Sequence, residues 1–475
     1  MPSKVNSMRG RGFAIMQRFK FMYKQFLKEP LWFKILVLTT LVISIVFSGS
    51  GFSSNVQSVA KVAAAIFFCT YAIKLRRLVK VSVTFYVLAG LCLYVAWDHP
   101  TTVPPTKYWP GDEWRISTPE EQGMDSNYLY QTMKQTMGYK QSVHSTFDNV
   151  LIIKNGYLIT ELYAPNKGKD GYYDLYSATK SVISALVGIA IHEGYIAGLD
   201  AKVMDFFPEY RTQPIDEKKE SITVGDLLKM SGGFKWDEWN NPSTDLDPAG
   251  EMFRSLEPVK FLLDKPIVNE PGSVFNYSTG ESLLLSEIIN KSTGMGTDTY
   301  AAKKLFEPLG IRNYKWDTLR DGVPGNLRLT ARDVAKFGYL FLNNGVWNDR
   351  QIVPLDWVKT STSKQIDTNV GQESNGYGYQ WWMNTFGGYA AKGMFGQYIC
   401  VLPEQDIVVV FQSHLSIRNI DFLLPLLMVE NAVIKSIQSQ NPLPPNSQLK
   451  NLEEALLLGQ RSEIGTCGDT FGCKN

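Results

Sequence analysis

Cysteine, histidine and net charge are all scarce in this sequence of 475 residues. Five cysteines are too few for a disulfide-stabilised scaffold, and no Cys-x-x-Cys pair suggests a zinc site. The four histidines, His99, His144, His192 and His414, are far apart along the chain, which argues against a histidine metal site. The formal charge of +2 provides no basic surface of the kind that binds nucleic acid. We therefore expect no metal, no other cofactor and no nucleic-acid partner.

Aromatic residues are plentiful by comparison, with 25 Phe, 23 Tyr and 11 Trp. This content is enough for a sizeable core and excludes disorder for the bulk of the chain. The length exceeds one ordinary domain of roughly 100–200 residues, although a large enzyme fold could include most of it. The composition says nothing about the oligomeric state.

Residues 1–98 differ from the rest because they contain three apolar stretches, at about 31–47, 52–73 and 81–97. The first and third have the length of transmembrane helices, which need roughly 17–25 residues. The second is interrupted by Lys61, so a buried core helix or an amphipathic surface helix is the alternative there. We predict an N-terminal membrane region with about three spans.

The distribution of basic residues supports three spans. Seven basic residues precede the first stretch, residues 48–60 carry no charge, and four basic residues lie between 74 and 80. The positive-inside rule places both basic segments in the cytoplasm. An odd number of spans then places everything after residue 97 outside the cytoplasm. The expected location is the cell membrane, with multiple passes and an extracytoplasmic globular domain.

Proline-rich segments mark the other boundaries. Residues 99–112 contain Pro100, Pro104, Pro105 and Pro110, which favours an extended linker. A globular domain is expected over 113–440 and a C-terminal tail over 441–475.

The tail carries the last two cysteines of the sequence, Cys467 and Cys473. Outside the cytoplasm they could form a small disulfide loop or remain two free thiols, and both alternatives stay open.

The globular domain mixes strand and helix signals. Two β-rich runs surround Asn155-Gly156, which is a strong hairpin signal. Residues 177–193 have apolar residues at helical spacing, and Gly194 can end that helix. Near the end, 398–402 and 407–412 predict another hairpin. These signals predict an α/β fold with an antiparallel sheet built from both ends of the domain and flanked by helices.

The first catalytic candidate is Ser177-Ala-Thr-Lys180 at the start of the predicted helix. Spacing of three residues places the serine hydroxyl and the lysine amine on one helix face. A serine is a poor nucleophile until a base removes its proton, and a lysine can be that base. An ordinary N-cap serine is the alternative, since three other Ser-x-x-Lys sequences occur in the chain. Only this one begins a strongly apolar helix directly after a tyrosine-rich segment.

Two later segments could complete a site. Tyr277, in a glycine-bracketed segment, could transfer protons to and from the serine or the leaving group. Packing against Phe275 is the alternative role for this tyrosine. The glycine-rich 392–397 precedes a strand, where backbone N–H groups could stabilise an oxyanion. A simple glycine-rich strand entry is the alternative.

Together these segments resemble the serine β-lactamase/penicillin-binding superfamily in its class C-like branch, with 6-aminohexanoate-dimer hydrolase and family VIII esterases. The resemblance covers about residues 114–427 and includes 227–233, 329–338 and 376–382. It implies a β-lactamase/transpeptidase-like fold, in which an antiparallel sheet flanked by helices is joined to an all-helical subdomain.

The resemblance also implies roles for individual residues. Ser177 would be the nucleophile, Lys180 its base and Tyr277 the tyrosine of the Tyr-x-Asn motif. The Lys-Thr-Gly triplet would fall on Met394-Phe395-Gly396, and the oxyanion hole would consist of the backbone N–H groups of Ser177 and Gln397. Besides Met394, Phe395 and Gly396, the tryptophans Trp381 and Trp382 could bind substrate by lining an acyl pocket, or they could pack in the core.

Two positions depart from the family pattern. Thr279 stands where the second motif has Asn, and Met394 stands where the third motif has a cation. In β-lactamases and peptidases that cation helps to bind the substrate carboxylate, and whether Lys392 replaces it stays open. The departures favour a membrane-anchored esterase or amidase that takes a small ester, amide or peptide. A peptidoglycan DD-peptidase or β-lactam-binding protein is one alternative, and a non-catalytic sensor or binding module on the same fold is another.

Overall fold

The computed structural model describes residues 108–464, except 112, 166, 212–213, 239–246, 319–323, 369–373 and 418–419. The three predicted membrane spans, most of the linker, and both Cys467 and Cys473 lie outside the described residues. No helix within the described part of the chain is both long and apolar enough to cross a membrane.

Strands and helices alternate along this region. The strands are β1 (Thr146–Lys154), β2 (Tyr157–Leu162), β3 (Tyr173–Asp174), β4 (Lys315–Thr318), β5 (Pro324–Leu329), β6 (Val346–Trp347), β7 (Arg350–Gln351), β8 (Ser374–Tyr377), β9 (Trp382–Asn384), β10 (Tyr389–Gly393), β11 (Gln397–Leu402) and β12 (Ile407–His414). The α-helices are α1 (Ser126–Met137), α2 (Thr179–His192), α3 (Val203–Phe206), α4 (Glu217–Ser221), α5 (Val224–Leu228), α6 (Pro248–Arg254), α7 (Pro258–Leu263), α8 (Thr279–Thr293), α9 (Thr297–Ala301), α10 (Ala331–Leu342), α11 (Leu355–Ser361), α12 (Leu424–Met428) and α13 (Leu449–Ile464). Short 3₁₀ turns include Tyr176–Ala178, directly before α2.

The main sheet is antiparallel and is built from both ends of the domain, as predicted. Its strand order is β2-β1-β12-β11-β10-β9-β8. The hairpin β1–β2 turns at Asn155 and Gly156, whose φ angles of 51° and 79° suit the two central positions of a type I′ turn. Strand β1 then pairs with β12, with Thr146 opposite His414. The two hairpins predicted from sequence therefore lie side by side.

Helices cover both faces of the main sheet, and the strands are correspondingly apolar on both faces. Leu151 and Ile153 of β1 face the core that includes α2 and α10. Val150 and Ile152, which alternate with them, face the second core with α1 and α12. The predicted layered α/β architecture is confirmed.

A mainly helical region extends from α3 to α9 and packs through α8 against α2. Helix α8 begins at a clear signal, because the Ser278 side chain accepts a hydrogen bond from the Glu281 N–H. It ends at Gly294 in the left-handed conformation, with φ 67°. The start of α8 and the start of α2 come together, and the candidate site lies there.

Candidate active site

Ser177 and Lys180 lie at the junction of a 3₁₀ turn and α2. The Lys180 Nζ is 2.9 Å from the Ser177 Oγ, so the two groups share a face as the spacing predicts. Ser177 is half-buried, whereas Lys180 is buried. No side chain caps α2, and thus the serine hydroxyl is not used as an N-cap. The pair has the arrangement of a nucleophile and its base.

The turn that contains Ser177 is held in place by a hydrogen bond to strand β5. Tyr176 has a left-handed backbone with φ 47°, which is strained for a non-glycine residue. Its N–H donates to the Asn326 Oδ1 at 2.8 Å, and the Asn326 Nδ2 donates to the Asp174 Oδ1 at 2.5 Å. Strand β5 therefore fixes the conformation of the residue directly before the serine. Sequence reasoning missed Asn326, because nothing in its local pattern marks it.

Tyr277 lies against the same lysine. Its ring stacks on Trp382, with centroids 5.7 Å apart and an angle of 26° between the planes. The Lys180 Nζ is 4.9 Å from the centre of the Tyr277 ring. The structure thus brings together all three residues that were predicted to be catalytic.

Thr279 occupies the position where the family pattern has Asn, and its hydroxyl still contacts the lysine. The Lys180 Nζ is 3.0 Å from the Thr279 Oγ1. Behind it lies Glu238, whose Oε1 accepts from the Thr279 hydroxyl at 2.6 Å. The Glu238 Oε2 accepts from the Thr279 N–H at 2.5 Å and from the Trp236 Nε1 at 2.8 Å. Glu238 was missed from sequence, since no motif spacing relates it to residues 177–180 or 277.

Burial sets the electrostatics of this region. Desolvation raises the pKa of the Glu238 carboxyl, and the positive charge of Lys180 acts in the opposite direction. A second carboxyl, Glu281, is fully enclosed, and desolvation raises its pKa well above the ordinary value. Its Oε1 accepts from the Gly232 N–H at 3.0 Å. Burial therefore disfavours the charged form of Glu281.

The triplet Met394-Phe395-Gly396 forms the turn between β10 and β11, not a strand. A Cβ at Gly396 would meet Leu415 and Ser413, on the β12 side of the turn. The Phe395 ring packs against Tyr176 at a centroid distance of 5.1 Å. The turn therefore supports the serine segment through the Phe395 ring, whereas Gly396 faces the β12 side of the turn.

Gly393, three residues before Gly396, makes the close backbone approach to the serine turn. A Cβ there would lie 2.2 Å from the Leu175 carbonyl oxygen and 3.2 Å from the Ala178 nitrogen. Strand β9 pairs only with Tyr389 and Ala390 of β10, so the outer edge of 391–393 faces the serine turn and not another strand. The strand-borne triplet beside the serine is Ala391-Lys392-Gly393.

This placement corrects the expected second oxyanion donor. Gln397 is in β11, an interior strand with β10 and β12 on its two sides. Backbone groups of an interior strand are directed at its neighbours. Gln397 pairs with Gly393, and its side-chain amide donates to the Ser413 carbonyl at 2.6 Å. A backbone donor toward Ser177 is better supplied by the end of β10.

The two tryptophans have different environments. Trp381 is fully buried, with its ring 4.7 Å from that of Phe341 and 5.9 Å from that of Phe337. It packs in the core, which is the alternative that the sequence left open for this residue. Trp382 is nearly buried and stacks on Tyr277. Of the two tryptophans, Trp382 is the one that lies beside Tyr277.

Enlarging Gly393 is expected to disrupt the site selectively. The methyl group of Gly393→Ala would collide with the Leu175 carbonyl oxygen and displace the serine turn. We expect kcat/KM for ester hydrolysis to fall on the order of 10²-fold, as small displacements of reacting groups do. Gly111→Ala is the control, since no atom lies within 4 Å of that added methyl group. Equal rates for both variants and the wild type would contradict the close approach.

Residues suited to a metal do not converge in this structure. Within the described ranges, no three His, Cys, Asp or Glu side chains are grouped as a metal ion requires. The chemistry available at the site is that of the Ser177 hydroxyl, the Lys180 amine, the Tyr277 phenol and the Glu238 carboxyl.

Comparison with known families identifies this arrangement. The family model described as Beta-lactamase matches residues 148–421, which is more than half of the chain. The chain belongs to the beta-lactamase family. The matched segment includes Ser177, Lys180, Tyr277 and the strands β10 and β11.

Individual relatives of this beta-lactamase family member agree with that assignment. The 6-aminohexanoate-dimer hydrolase of Paenarthrobacter ureafaciens is 25% identical over 55% of this chain and 71% of that protein. An Escherichia coli K12 protein, provisionally named a D-alanyl-D-alanine carboxypeptidase, is 27% identical over 43% of this chain. That match spans only 51% of the Escherichia coli protein, about half its length. The crystal structure of a family VIII carboxylesterase superposes with a TM-score of 0.51 and 14% identity, covering 67% of this chain and 98% of the other.

The family assignment confirms the resemblance seen in the sequence and the predicted fold of the globular domain. It also establishes the general activity of the chain, which is that of a serine hydrolase acting on ester or amide bonds.

Proposed function

We propose that this protein hydrolyses small ester or amide substrates through an acyl-enzyme on Ser177. The observation that supports this most is the 2.9 Å contact between the Ser177 hydroxyl and the buried Lys180 amine. Tyr277 against the same lysine completes the set of proton-transferring groups.

The reaction would proceed in two steps. In the first, neutral Lys180 accepts the Ser177 proton while the serine oxygen bonds to the substrate carbonyl carbon. Tyr277 and Lys180 then return a proton to the leaving alcohol or amine as its bond to carbon breaks. In the second step, the same groups activate a water molecule that cleaves the acyl-enzyme and restores the serine.

The developing oxyanion needs two donors. We assign them to the backbone N–H groups of Ser177 and Met394, the latter being the first residue after Gly393. Donors fixed by strand and turn geometry need no reorganisation during the reaction, which makes them effective. The close approach of Gly393 to Leu175 and Ala178 supports this assignment.

An esterase or amidase is favoured over a β-lactamase by the third segment. With the triplet at 391–393, Ala391 stands where the family pattern has a cation. The wall beside Tyr277 is instead aromatic, formed by Trp382, Phe275 and Tyr377. Such a wall suits an apolar acyl or leaving group better than a carboxylate.

A peptidoglycan DD-peptidase is the second candidate, because one cation does lie along this wall. The Lys392 Nζ is 5.1 Å from the Trp382 ring centre, and that ring stacks on Tyr277. A cation there could bind the terminal carboxylate of a D-amino acid peptide. Stable acylation by penicillin would support this candidate over the plain esterase.

We further propose that the N-terminal segment anchors the enzyme in the cell membrane by about three spans. The supports are the apolar stretches within residues 1–98 and the basic residues at 74–80. The catalytic domain would then act outside the cytoplasm. Its partners would be the membrane and a small ester, amide or peptide substrate.

Hydrolysis of a short-chain nitrophenyl ester by the full-length protein in detergent tests the function. We expect turnover that Ser177→Ala reduces to background, a loss of at least about 10⁴-fold. Ser363→Ala, at an exposed serine directly before Lys364, should retain full activity. Activity that persists in Ser177→Ala would refute the proposed nucleophile.

A further inference from the structure

A continuous chain of hydrogen bonds runs from Ser177 into the protein. The Ser177 Oγ, the Lys180 Nζ, the Thr279 Oγ1 and the Glu238 Oε1 are separated by 2.9, 3.0 and 2.6 Å in turn. Each link is short enough for proton transfer. The chain ends at a carboxylate, which is the one group in it that becomes neutral on accepting a proton.

The two oxygens of Glu238 have different roles. Oε2 faces two N–H donors, those of the Thr279 backbone and the Trp236 indole, and must accept from both. Among the residues that the structure describes, Oε1 bonds only the Thr279 hydroxyl, which can donate or accept. A proton on Glu238 therefore resides on Oε1, in line with Thr279 and Lys180.

We propose that Glu238 is a positioning residue that takes the extra proton of Lys180 through the Thr279 hydroxyl and so keeps this lysine neutral for its attack on Ser177. This inference rests on the proposed function, in which Lys180 is the base for Ser177. It assigns to Thr279 and Glu238 together the place that the family gives to one asparagine.

The transfer balances in protons and electrons. Lys180 gives a proton to the Thr279 oxygen as the Thr279 hydroxyl gives its own to the Glu238 Oε1. The ion pair of ammonium and carboxylate becomes an amine and a carboxylic acid, with no change in net charge. Rotation about the Cε–Nζ bond then directs the amine lone pair at the Ser177 hydroxyl, whose proton it accepts as the serine oxygen bonds to the substrate.

The groups around Lys180 and Glu238 favour the form in which both are neutral, an amine and a carboxylic acid. Within the described ranges, the titratable groups that face Glu238 are Lys180 on α2, Glu281 at the start of α8, Tyr377 on β8 and, beyond it, Tyr277. Desolvation raises the pKa of Glu238, of Glu281 and of Tyr377, so burial disfavours the charged form of each. A buried ion pair pays desolvation on both partners, which a proton shift between them removes.

The test measures how fast a fluorophosphonate labels Ser177 in the full-length protein between pH 6 and 10. Labelling forms the bond from the serine oxygen to phosphorus, expels fluoride and passes the serine proton to Lys180, so it reports the lysine without a known substrate. The variants are Glu238→Gln, Thr279→Val and Thr279→Ser. Glu281→Gln is the matched control, because that carboxyl is buried nearby but makes no bond to Thr279.

The wild type and Thr279→Ser are expected to label at a rate that is level across neutral pH, because the lysine proton moves within the protein. In Glu238→Gln and Thr279→Val that proton must be released to solvent. Their rates should rise about tenfold per pH unit and be on the order of 10²-fold slower at pH 7. Glu281→Gln should keep the level profile of the wild type.

Two results would contradict these proposals. A level profile in Glu238→Gln and Thr279→Val, even with a uniformly lower rate, overturns the role of Glu238 and leaves the proposed nucleophile intact. No labelling of the wild type at any pH instead refutes the proposed function. Unfolding temperatures show which variants are folded, and Thr279→Val, which preserves side-chain shape, decides alone if Glu238→Gln does not fold.

Discussion

Replacing Lys180 with methionine is expected to slow ester hydrolysis about 10⁴-fold while leaving the protein folded. The side chain is buried at the start of α2, and methionine fills nearly the same volume. What is lost is the amine 2.9 Å from the Ser177 hydroxyl, which is the group that accepts the serine proton in the proposed mechanism. Steady-state kinetics should show the loss in kcat, since a base acts only as the transition state forms.

A second Ser-x-x-Lys sequence in the same chain supplies the control. Ser361 and Lys364 have the same spacing, but Ser361 is buried and Lys364 is paired with Asp367 at the surface. Lys364→Met should hydrolyse ester at the wild-type rate. A comparable loss in both variants, or none in Lys180→Met, would show that Lys180 is not the base.

Truncating Trp381 to alanine is expected to have the largest effect on stability. Its ring is fully buried among Phe337, Phe341 and Tyr389, and removing it leaves a cavity where α10 packs on the sheet. Loss of a large buried aromatic side chain costs about 3–5 kcal/mol of the free energy of unfolding. Denaturant titration of the variant and the wild type measures this difference.

The same variant tests the assignment of Trp381 to the core. KM for the ester, measured well below the unfolding midpoint, should be unchanged within about twofold, because the ring does not reach Tyr277. Tyr139→Ala removes an aromatic ring that is 57% exposed and should change stability by less than about 0.5 kcal/mol. A large rise in KM with little loss of stability would return Trp381 to the substrate pocket.

Features encoded by neighbouring residues could be predicted from the sequence. Asn155-Gly156 determines the first hairpin because both residues tolerate the left-handed backbone that the turn requires. The contact of Ser177 with Lys180 follows from one turn of helix. The two hairpins at opposite ends of the domain were also predictable, because each hairpin has its own local signal.

Features that depend on distant segments could not be predicted. Glu238 reaches Lys180 only because the loop before residue 239 folds over the start of α8, and no residue spacing reports that contact. Asn326 supports Tyr176 across strands that are far apart in sequence. The triplet was misplaced by three residues because glycines at 393 and 396 both suit a strand entry, and only packing against Leu175 distinguishes them.

The pairing of β1 with β12 also determines when the protein can fold. Thr146 pairs with His414, so roughly 260 further residues must be synthesised after Thr146 before β12 is complete and can pair with β1. At ordinary elongation rates of about 5–20 residues per second, that delay is about 10–50 s. Until then Gly393 cannot support the serine turn, because β10 also lies near the end of the domain. The growing chain therefore has no hydrolytic activity, and this activity begins only after synthesis of the domain is complete.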